Sequence, residues 1–369
     1  MRHLKDHSEI SGDETGVTAV RQRSPAASPN DSAACGAVYS VPFEAQEPTH
    51  SSEVMTVTDV DQTTTSGPVD PGFPVFDPDE LLRNVLGIEP EPLPDFDAVE
   101  LTPLTVPLRE ATVGLLVSCG AYFPDQPRLR QHSDLSYRLL PRERDLDEVL
   151  FGHMTPIRAF ALADPNVAYP RDTMLDLERD GVIGRYADNA VSMVGSISQF
   201  DELATEVAPR IAEEFKTMGA DLVLVVPFCP QCAVAFGILA RAIERRGVAT
   251  TSITTLFKHA NYLKPPRASF LDFPLGCPAG RPGESDQQRE IVKAALRHAE
   301  QAGNAGQDWE LKRLPFQWAA DGNRDWETLV ADVYRLDNTI RRSALTNAAA
   351  HVQVLGGGNE REFAIRCAC

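Results

Sequence analysis

Seven cysteines occur in the 369-residue chain, and two of them stand where thiols do chemistry. Cys229 and Cys232 form a Cys-x-x-Cys directly after the apolar run Leu222-Val-Leu-Val-Val226 and Pro227-Phe228, and directly before the apolar stretch Ala233–Ala240. The first run has strand character and the second helix character, so the thiols fall at a strand-to-helix turn. A turn of this kind lies at the carboxyl edge of an open α/β sheet. Unpaired N–H groups and the dipole at the helix start favour a thiolate there. Pro230 suits the first helical position because its missing N–H costs nothing. The chemistry this pattern allows is attack by Cys229 and closure of a disulfide by Cys232. The same spacing also serves half of a zinc site. A zinc set could be completed by Cys367 and Cys369, which follow the glycine hinge Gly356-Gly-Gly358. As an alternative to that set, the Cys-x-Cys tail could relay electrons to the inner pair.

Cys119 ends a second strand-like run, Thr112–Ser118, and can face Cys229 from the same edge. Two facing thiols also suit a cofactor-independent racemase or lyase. His153 is the candidate base beside the thiols. Asp134, Tyr137 and Arg138 can hold an amine or a carboxylate. Arg267 and Arg281 are fork-shaped carboxylate ligands, and Cys277 lies in the Pro/Gly-rich loop Phe273–Gly283.

These residues need a scaffold. Strands are expected at 112–118, 221–226, 248–253, 267–272 and 309–314, with helices at 173–181, 201–218, 230–246, 287–302 and 325–340. Pro209 should kink or split the second helix. Strand–helix–strand order around Cys229 implies parallel pairing with a right-handed crossover. The expected fold is therefore α/β, a mainly parallel sheet with flanking helices. Four segments are expected. Residues 1–75, poor in apolar residues and rich in Ser, Thr, Asp and Pro, read as a disordered leader. A Pro-rich arm follows at 76–108, then an α/β domain (or two subdomains) at 109–345, then a flexible tail at 346–369.

Bulk composition narrows the function. A net charge of −18 argues against nucleic acid as a partner. No apolar run reaches the roughly eighteen residues of a membrane span, and the N-terminus carries no secretory pattern. An odd cysteine count in a long chain points to a reducing cytoplasm rather than a disulfide scaffold.

From about residue 110 to about 320, ordered motifs resemble the selenoprotein B type subunits of glycine, sarcosine, betaine and D-proline reductases, most nearly the D-proline branch. The motifs are Asp134-Leu-Ser-Tyr-Arg138 with Pro141; Asp164-Pro-Asn166 with Pro170, Leu175 and Gly181-Val-Ile-Gly184; Ser192-Met-Val-Gly195; and Lys264-Pro-Pro-Arg267, Phe273-Pro-Leu-Gly276 and Gly280-Arg-Pro-Gly283. The resemblance implies a cysteine-containing homologue, with Cys229 in the selenocysteine position and Cys232 as resolving thiol. It implies reductive cleavage of a C–N bond in a small amino-acid-like substrate. No bound cofactor is expected. Electrons would come from an external dithiol or a thioredoxin-like donor, and a pyruvoyl-bearing partner subunit could activate the substrate.

Overall fold

In the computed structural model, residues 70–302 and 309–346 are described. The expected leader (as far as residue 69) and the tail with Cys367 and Cys369 lie outside the described residues.

Among the described residues ten strands are formed: β1 Thr112–Val117, β2 Ala121–Tyr122, β3 Arg138–Pro141, β4 Leu150–Phe151, β5 Arg185–Tyr186, β6 Asn189–Ser192, β7 Leu222–Val226, β8 Ala249–Thr254, β9 Ala268–Phe270 and β10 Lys312–Arg313. Eight make one sheet in the order β10-β9-β8-β7-β1-β6-β3, with β5 also on β1. Every pairing in it is parallel except β3 with β6. The fold is the α/β class its patterning predicts. β2 and β4 form a separate antiparallel ribbon.

The sheet is covered on both faces, which is why its central strands are continuously apolar. Val113, Leu115 and Val117 of β1, with Leu222, Leu224 and Val226 of β7, share one core with Met174, Leu177, Ile291, Leu296 and Val330. Leu116, Val223 and Val225 point the other way, onto Ile211 and Phe215 of helix Ala208–Thr217 and Phe236, Leu239 and Ile243 of helix Pro230–Glu244. Gly114 leaves room for the Phe215 ring: a Cβ there would lie 2.6 Å from it.

Pro209 does split its helix. A wide π turn, Leu203–Val207, interrupts the chain, and a fresh α-helix begins at Ala208 with the proline in its first turn. There the missing N–H has no intrahelical partner to lose. The region 125–172 is less irregular than its Pro, Asp and Arg content suggests. It contains β3, β4 and the helix Arg158–Ala163.

The segment before β1 crosses the domain as an extended arm. Phe96 packs with Val234, Ile238 and Leu263, and Phe96 N donates to Tyr262 O at 2.8 Å. Its firmest tie is a buried ion pair. Arg267 Nη1 meets Glu244 Oε1 at 2.8 Å, both side chains fully buried. Glu244 also accepts from Thr250 N and Oγ1 at 2.7 and 2.8 Å and from Thr102 N, while Arg267 donates to the Thr102 carbonyl. Removing one partner strands a buried charge. Glu244→Ala is therefore expected to cost about 3–5 kcal/mol in denaturant unfolding; a loss under about 1 kcal/mol would contradict this account of the pair.

Candidate functional site

The site grows from the register of β1 and β7. Val117 pairs with Val226, so both strands end level. Ser118 then ties the two exits together: its Oγ accepts from Phe228 N at 2.8 Å and lies 3.4 Å from Val226 O. The β6 exit joins them, since Gly120 N donates to Met193 O at 2.8 Å and Gly195 N to Ser118 O at 3.3 Å. β1 is flanked by β6 on one side and β7 on the other, so chain order reverses direction here. Such a switch point opens a crevice at the strands' carboxyl ends.

Cys229 caps the helix Pro230–Glu244, its sulfur accepting from Cys232 N at 3.4 Å. Pro230 takes the first helical position, as its chemistry predicts. His153 arrives from elsewhere. Gly152 N donates to Gly120 O at 2.8 Å, and Gly120 takes φ 66°, a left-handed conformation suited to glycine. A Cβ on Gly120 would stand 3.0 Å from His153 N. This docks the end of the β2–β4 ribbon on the β1 exit.

The result is a closed triangle. Cys229 Sγ lies 3.0 Å from Cys232 Sγ, and His153 Nε2 is 3.2 and 3.1 Å from the two sulfurs. All three are buried, at 6%, 0% and 3% exposure for Cys229, Cys232 and His153. The sulfurs are free thiols, and a disulfide of about 2.05 Å needs a closing movement of about 1 Å. Gly195 presses against the pair: a Cβ on it would lie 2.6 Å from Cys232 Sγ. Phe228 walls His153, ring centroids 6.3 Å apart.

The two thiols are not electrically equivalent. Burial pushes the Cys229 thiol well up, and the neighbouring Cys232 sulfur pushes it further. At Cys232 burial acts in the same direction, but the hydrogen bond from Cys229 and the His153 ring outweigh it and hold its thiol well down. The contact between the two sulfurs and the His153 ring thus both favour charge on Cys232 over charge on Cys229.

Other residues singled out in the sequence lie apart from this triangle. Cys119 is on the same edge, but its Sγ faces the Ala168 carbonyl at 3.8 Å and burial raises its thiol strongly. Asp134 is spent on its own turn, accepting from Ser136 N at 3.0 Å, Ser136 Oγ at 2.6 Å and Arg130 N. Tyr137 Oη donates to Glu214 at 2.8 Å. Arg138 donates to the carbonyls of Pro127 and Tyr137 at 2.6 and 2.9 Å. Arg267 sits before β9, at the amino edge of the sheet, engaged with Glu244. Cys277 is fully buried and burial raises its thiol. The Arg281 guanidinium lies over the Trp318 ring, 5.2 Å from its centre.

Three features of the site carry no strong sequence signal. Ser118 and Gly195 shape it, although Gly195 belongs to a motif already noted. Beside Cys232 runs a polar line that reaches solvent: His132 Nδ1 to Ser196 Oγ at 2.7 Å, and Ser196 Oγ to Gln231 Oε1 at 3.5 Å. His132 and Gln231 are exposed. Gln231 lies inside the Cys-x-x-Cys, which is the one hint that this is the outward side.

Fold and site together define an α/β protein with a dithiol–imidazole cluster at the carboxyl edge of its sheet. Residues 88–227 match the family described as glycine/sarcosine/betaine reductase selenoprotein B, a stretch that ends two residues before Cys229. Over this stretch the chain is similar to reductase B subunits, in keeping with its motifs. It is similar to the D-proline reductase subunit gamma of Acetoanaerobium sticklandii, 27% identical over 219 residues, covering 59% of this chain and 89% of that protein. It is similar to the sarcosine reductase complex component B subunit beta of Peptoclostridium acidaminophilum, 28% identical over 221 residues, covering 56% and 49%. It is also similar to the glycine reductase complex component B subunit gamma of Symbiobacterium thermophilum, 30% identical over 218 residues, covering 56% and 50%. The match thus spans most of the first relative and about half the length of the other two. No solved structure matches. Among the described residues no helix is long and apolar enough to cross a membrane.

Proposed function

We propose that the chain is the electron-delivering, thiol-dependent subunit of a reductase that cleaves a C–N bond in a small amino-acid-like substrate. The observation that supports this best is the mutual 3.0–3.2 Å contact of Cys229, Cys232 and His153. In the first step the Cys229 proton passes to His153 Nε2. The Cys229 sulfur then attacks the substrate carbon, an S–C bond forms, and the C–N electron pair leaves with a nitrogen that takes up a proton. In the second step the Cys232 thiolate attacks the Cys229 sulfur. The S–S bond forms, the S–C bond breaks, and its electron pair stays on carbon, which is protonated. The substrate gains two electrons and the dithiol becomes a disulfide. A charge resting on Cys232 suits the second step. An external dithiol or thioredoxin-like protein would reduce the disulfide, and a pyruvoyl-bearing partner would activate the substrate amine. A cytoplasmic setting fits a free dithiol.

The test is turnover by purified chain with dithiothreitol, with and without such a partner, on D-proline, glycine, sarcosine and betaine. One dithiol should be oxidised per C–N bond broken. Racemisation or elimination without any reductant would instead place the chain among two-cysteine racemases or lyases.

A metal centre is favoured by one observation: the ligand atoms of His153, Cys229 and Cys232 lie within 4.8 Å of one another. Two features weigh against it. Zinc bound to two thiolates at about 2.3 Å holds them about 3.8 Å apart in a tetrahedral site, and here they are at 3.0 Å. A zinc-bound histidine donates its other ring N–H to an orienting partner, whereas His153 Nδ1 has none among the described residues. Stoichiometric zinc in reduced protein, lost in Cys229→Ser, would support the metal reading.

A further inference from the structure

The motif Asp134-Leu-Ser-Tyr-Arg138 is not part of the thiol triangle, but it builds the loop that lies beside it. Asp134 accepts from Arg130 N and from Ser136. Arg138 Nε donates to Pro127 O at 2.6 Å and its Nη2 to Arg128 O at 3.4 Å. The motif thereby holds the loop 127–133. Contacts at two points set that loop against the site. Leu129 packs at Gly152, the residue before His153: a Cβ on Gly152 would lie 3.4 Å from Leu129 Cβ. Further on, Ser133 N donates to Ser196 O at 2.8 Å, and His132 Nδ1 meets Ser196 Oγ at 2.7 Å. Ser196 follows Gly195, which presses on Cys232, and its hydroxyl lies 3.5 Å from Gln231 Oε1, between the two cysteines. Ser133 takes φ 52°, a left-handed conformation that a residue with a side chain seldom adopts. The loop thus runs from the His153 side of the triangle to the Cys232 side.

The charge on this loop is opposite to that of the chain. The chain carries a net −18, and the segments that meet at the dithiol, 152–157, 192–200 and 227–240, contain no Asp, Glu, Lys or Arg. The loop supplies Arg128 and Arg130, both exposed, while the acid beside them, Asp134, is buried. Arg130 lies 3.9 Å from Asp134 but leaves 76% of its side chain exposed. The Arg128 guanidinium has no partner among the described residues. His132 and Gln231 are exposed on the same side.

We propose that the loop 127–133 is the docking surface for the protein that reduces the Cys229–Cys232 disulfide, and that this partner presents its dithiol among acidic residues. The inference rests on the thiol-dependent reading above. The partner's thiolate attacks the Cys229 sulfur, the S–S bond to Cys232 breaks, and Cys232 leaves as a thiolate. The partner's second thiol gives up its proton and attacks the partner sulfur of the mixed disulfide. Cys229 is released and protonated, the partner departs as a disulfide, and two electrons have passed to the chain. The arginines take no part in the exchange. They raise the rate of encounter with an oppositely charged surface.

The test needs no turnover. Oxidised full-length chain is reduced by dithiothreitol and by two synthetic peptides that share one Cys-x-x-Cys and differ only in flanking it with glutamates or with lysines. Alkylation and peptide mass spectrometry follow the Cys229 and Cys232 thiols with time. Each peptide's rate is divided by its rate on the neutral disulfide of 2-mercaptoethanol, which removes any difference in thiol reactivity. At low ionic strength the glutamate peptide should act about tenfold faster than the lysine peptide, and the gap should close in about 0.5 M salt. Without a local docking surface, the chain's net charge of −18 would favour the lysine peptide instead. Arg128→Glu should remove the preference for glutamate and leave reduction by dithiothreitol within twofold of wild type; Arg128→Ala should weaken that preference in the same direction. Equal peptide rates in wild type, a preference that survives Arg128→Glu, or dithiothreitol reduction slowed as much as peptide reduction would overturn the assignment. Loss of the preference on adding D-proline would give the arginines to a substrate carboxylate, and a dimer lost in Arg128→Glu would give the loop to a second copy of the chain; either result would also overturn it. A chain that breaks no C–N bond but keeps the predicted charge preference would remove the reaction assignment and leave the docking surface in place.

Discussion

Cys229→Ser should lower dithiol-dependent turnover by on the order of 10³-fold or more, since it removes the attacking sulfur and leaves a hydroxyl with no comparable nucleophilicity. Cys232→Ser should fail differently. The first half-reaction needs only Cys229, so this variant should halt with the substrate carbon bonded to Cys229, visible as a single mass increase on the peptide that carries it. The asymmetry follows from position. Cys229 caps the helix and is the more exposed of the two residues, while Cys232 is sealed between Gly195 and the Ser118 carbonyl. Equal loss in both variants with no adduct in either would show that the two sulfurs do not divide the work. Full activity in Cys229→Ser would end the reductase reading.

Gly195→Ala should be the most damaging change outside the cysteines. The added methyl would stand 2.6 Å from Cys232 Sγ and 2.8 Å from both Cys232 Cα and Cβ. Only Sγ ends a side chain, and it is already held by His153, Cys229 and Ser118, while Cα and Cβ cannot rotate away. Relief requires the β6 exit or the helix start to move, at about 1–3 kcal/mol of overpacking. Displacing a reacting group by about 1 Å costs about 10²-fold in rate. The variant is thus expected to remain folded, with a modestly lower thermal midpoint, and to lose about two orders of magnitude in turnover. Activity within twofold of wild type would mean that the dithiol tolerates the displacement and that the close contact is incidental.

Much of this arrangement is legible in the amino-acid sequence, for definite reasons. The run Leu222–Val226 is apolar without alternation because β7 is covered on both faces, and the proline and two cysteines after it mark the turn unambiguously. The split at Pro209 follows from its missing N–H. His153 is different. Its type makes it a candidate, but its approach depends on the two-residue strands β2 and β4 and on Gly120 meeting Gly152, and strands that short have no periodicity to read. Arg267 shows how a sound chemical reading can find the wrong partner. It does bind a carboxylate, but the carboxylate is the protein's own Glu244 at the other end of the sheet. The Asp134–Arg138 motif is likewise satisfied by its own turn and by Glu214. Motif residues of this kind can set architecture as readily as chemistry.

The central claim is that Cys229, Cys232 and His153 form one ionised dithiol unit, and thiolate absorbance in the ultraviolet tests it most directly. The Cys232 thiol is held well below its ordinary range, so as pH falls its thiolate should persist below about 8.5, the usual thiol midpoint. Reduced protein should therefore show a thiolate signal whose midpoint lies below that of an ordinary thiol. That signal should vanish in Cys232→Ser and its midpoint should rise in His153→Ala. No thiolate absorbance until the pH exceeds about 8.5, or the same curve in wild type and His153→Ala, would contradict the account.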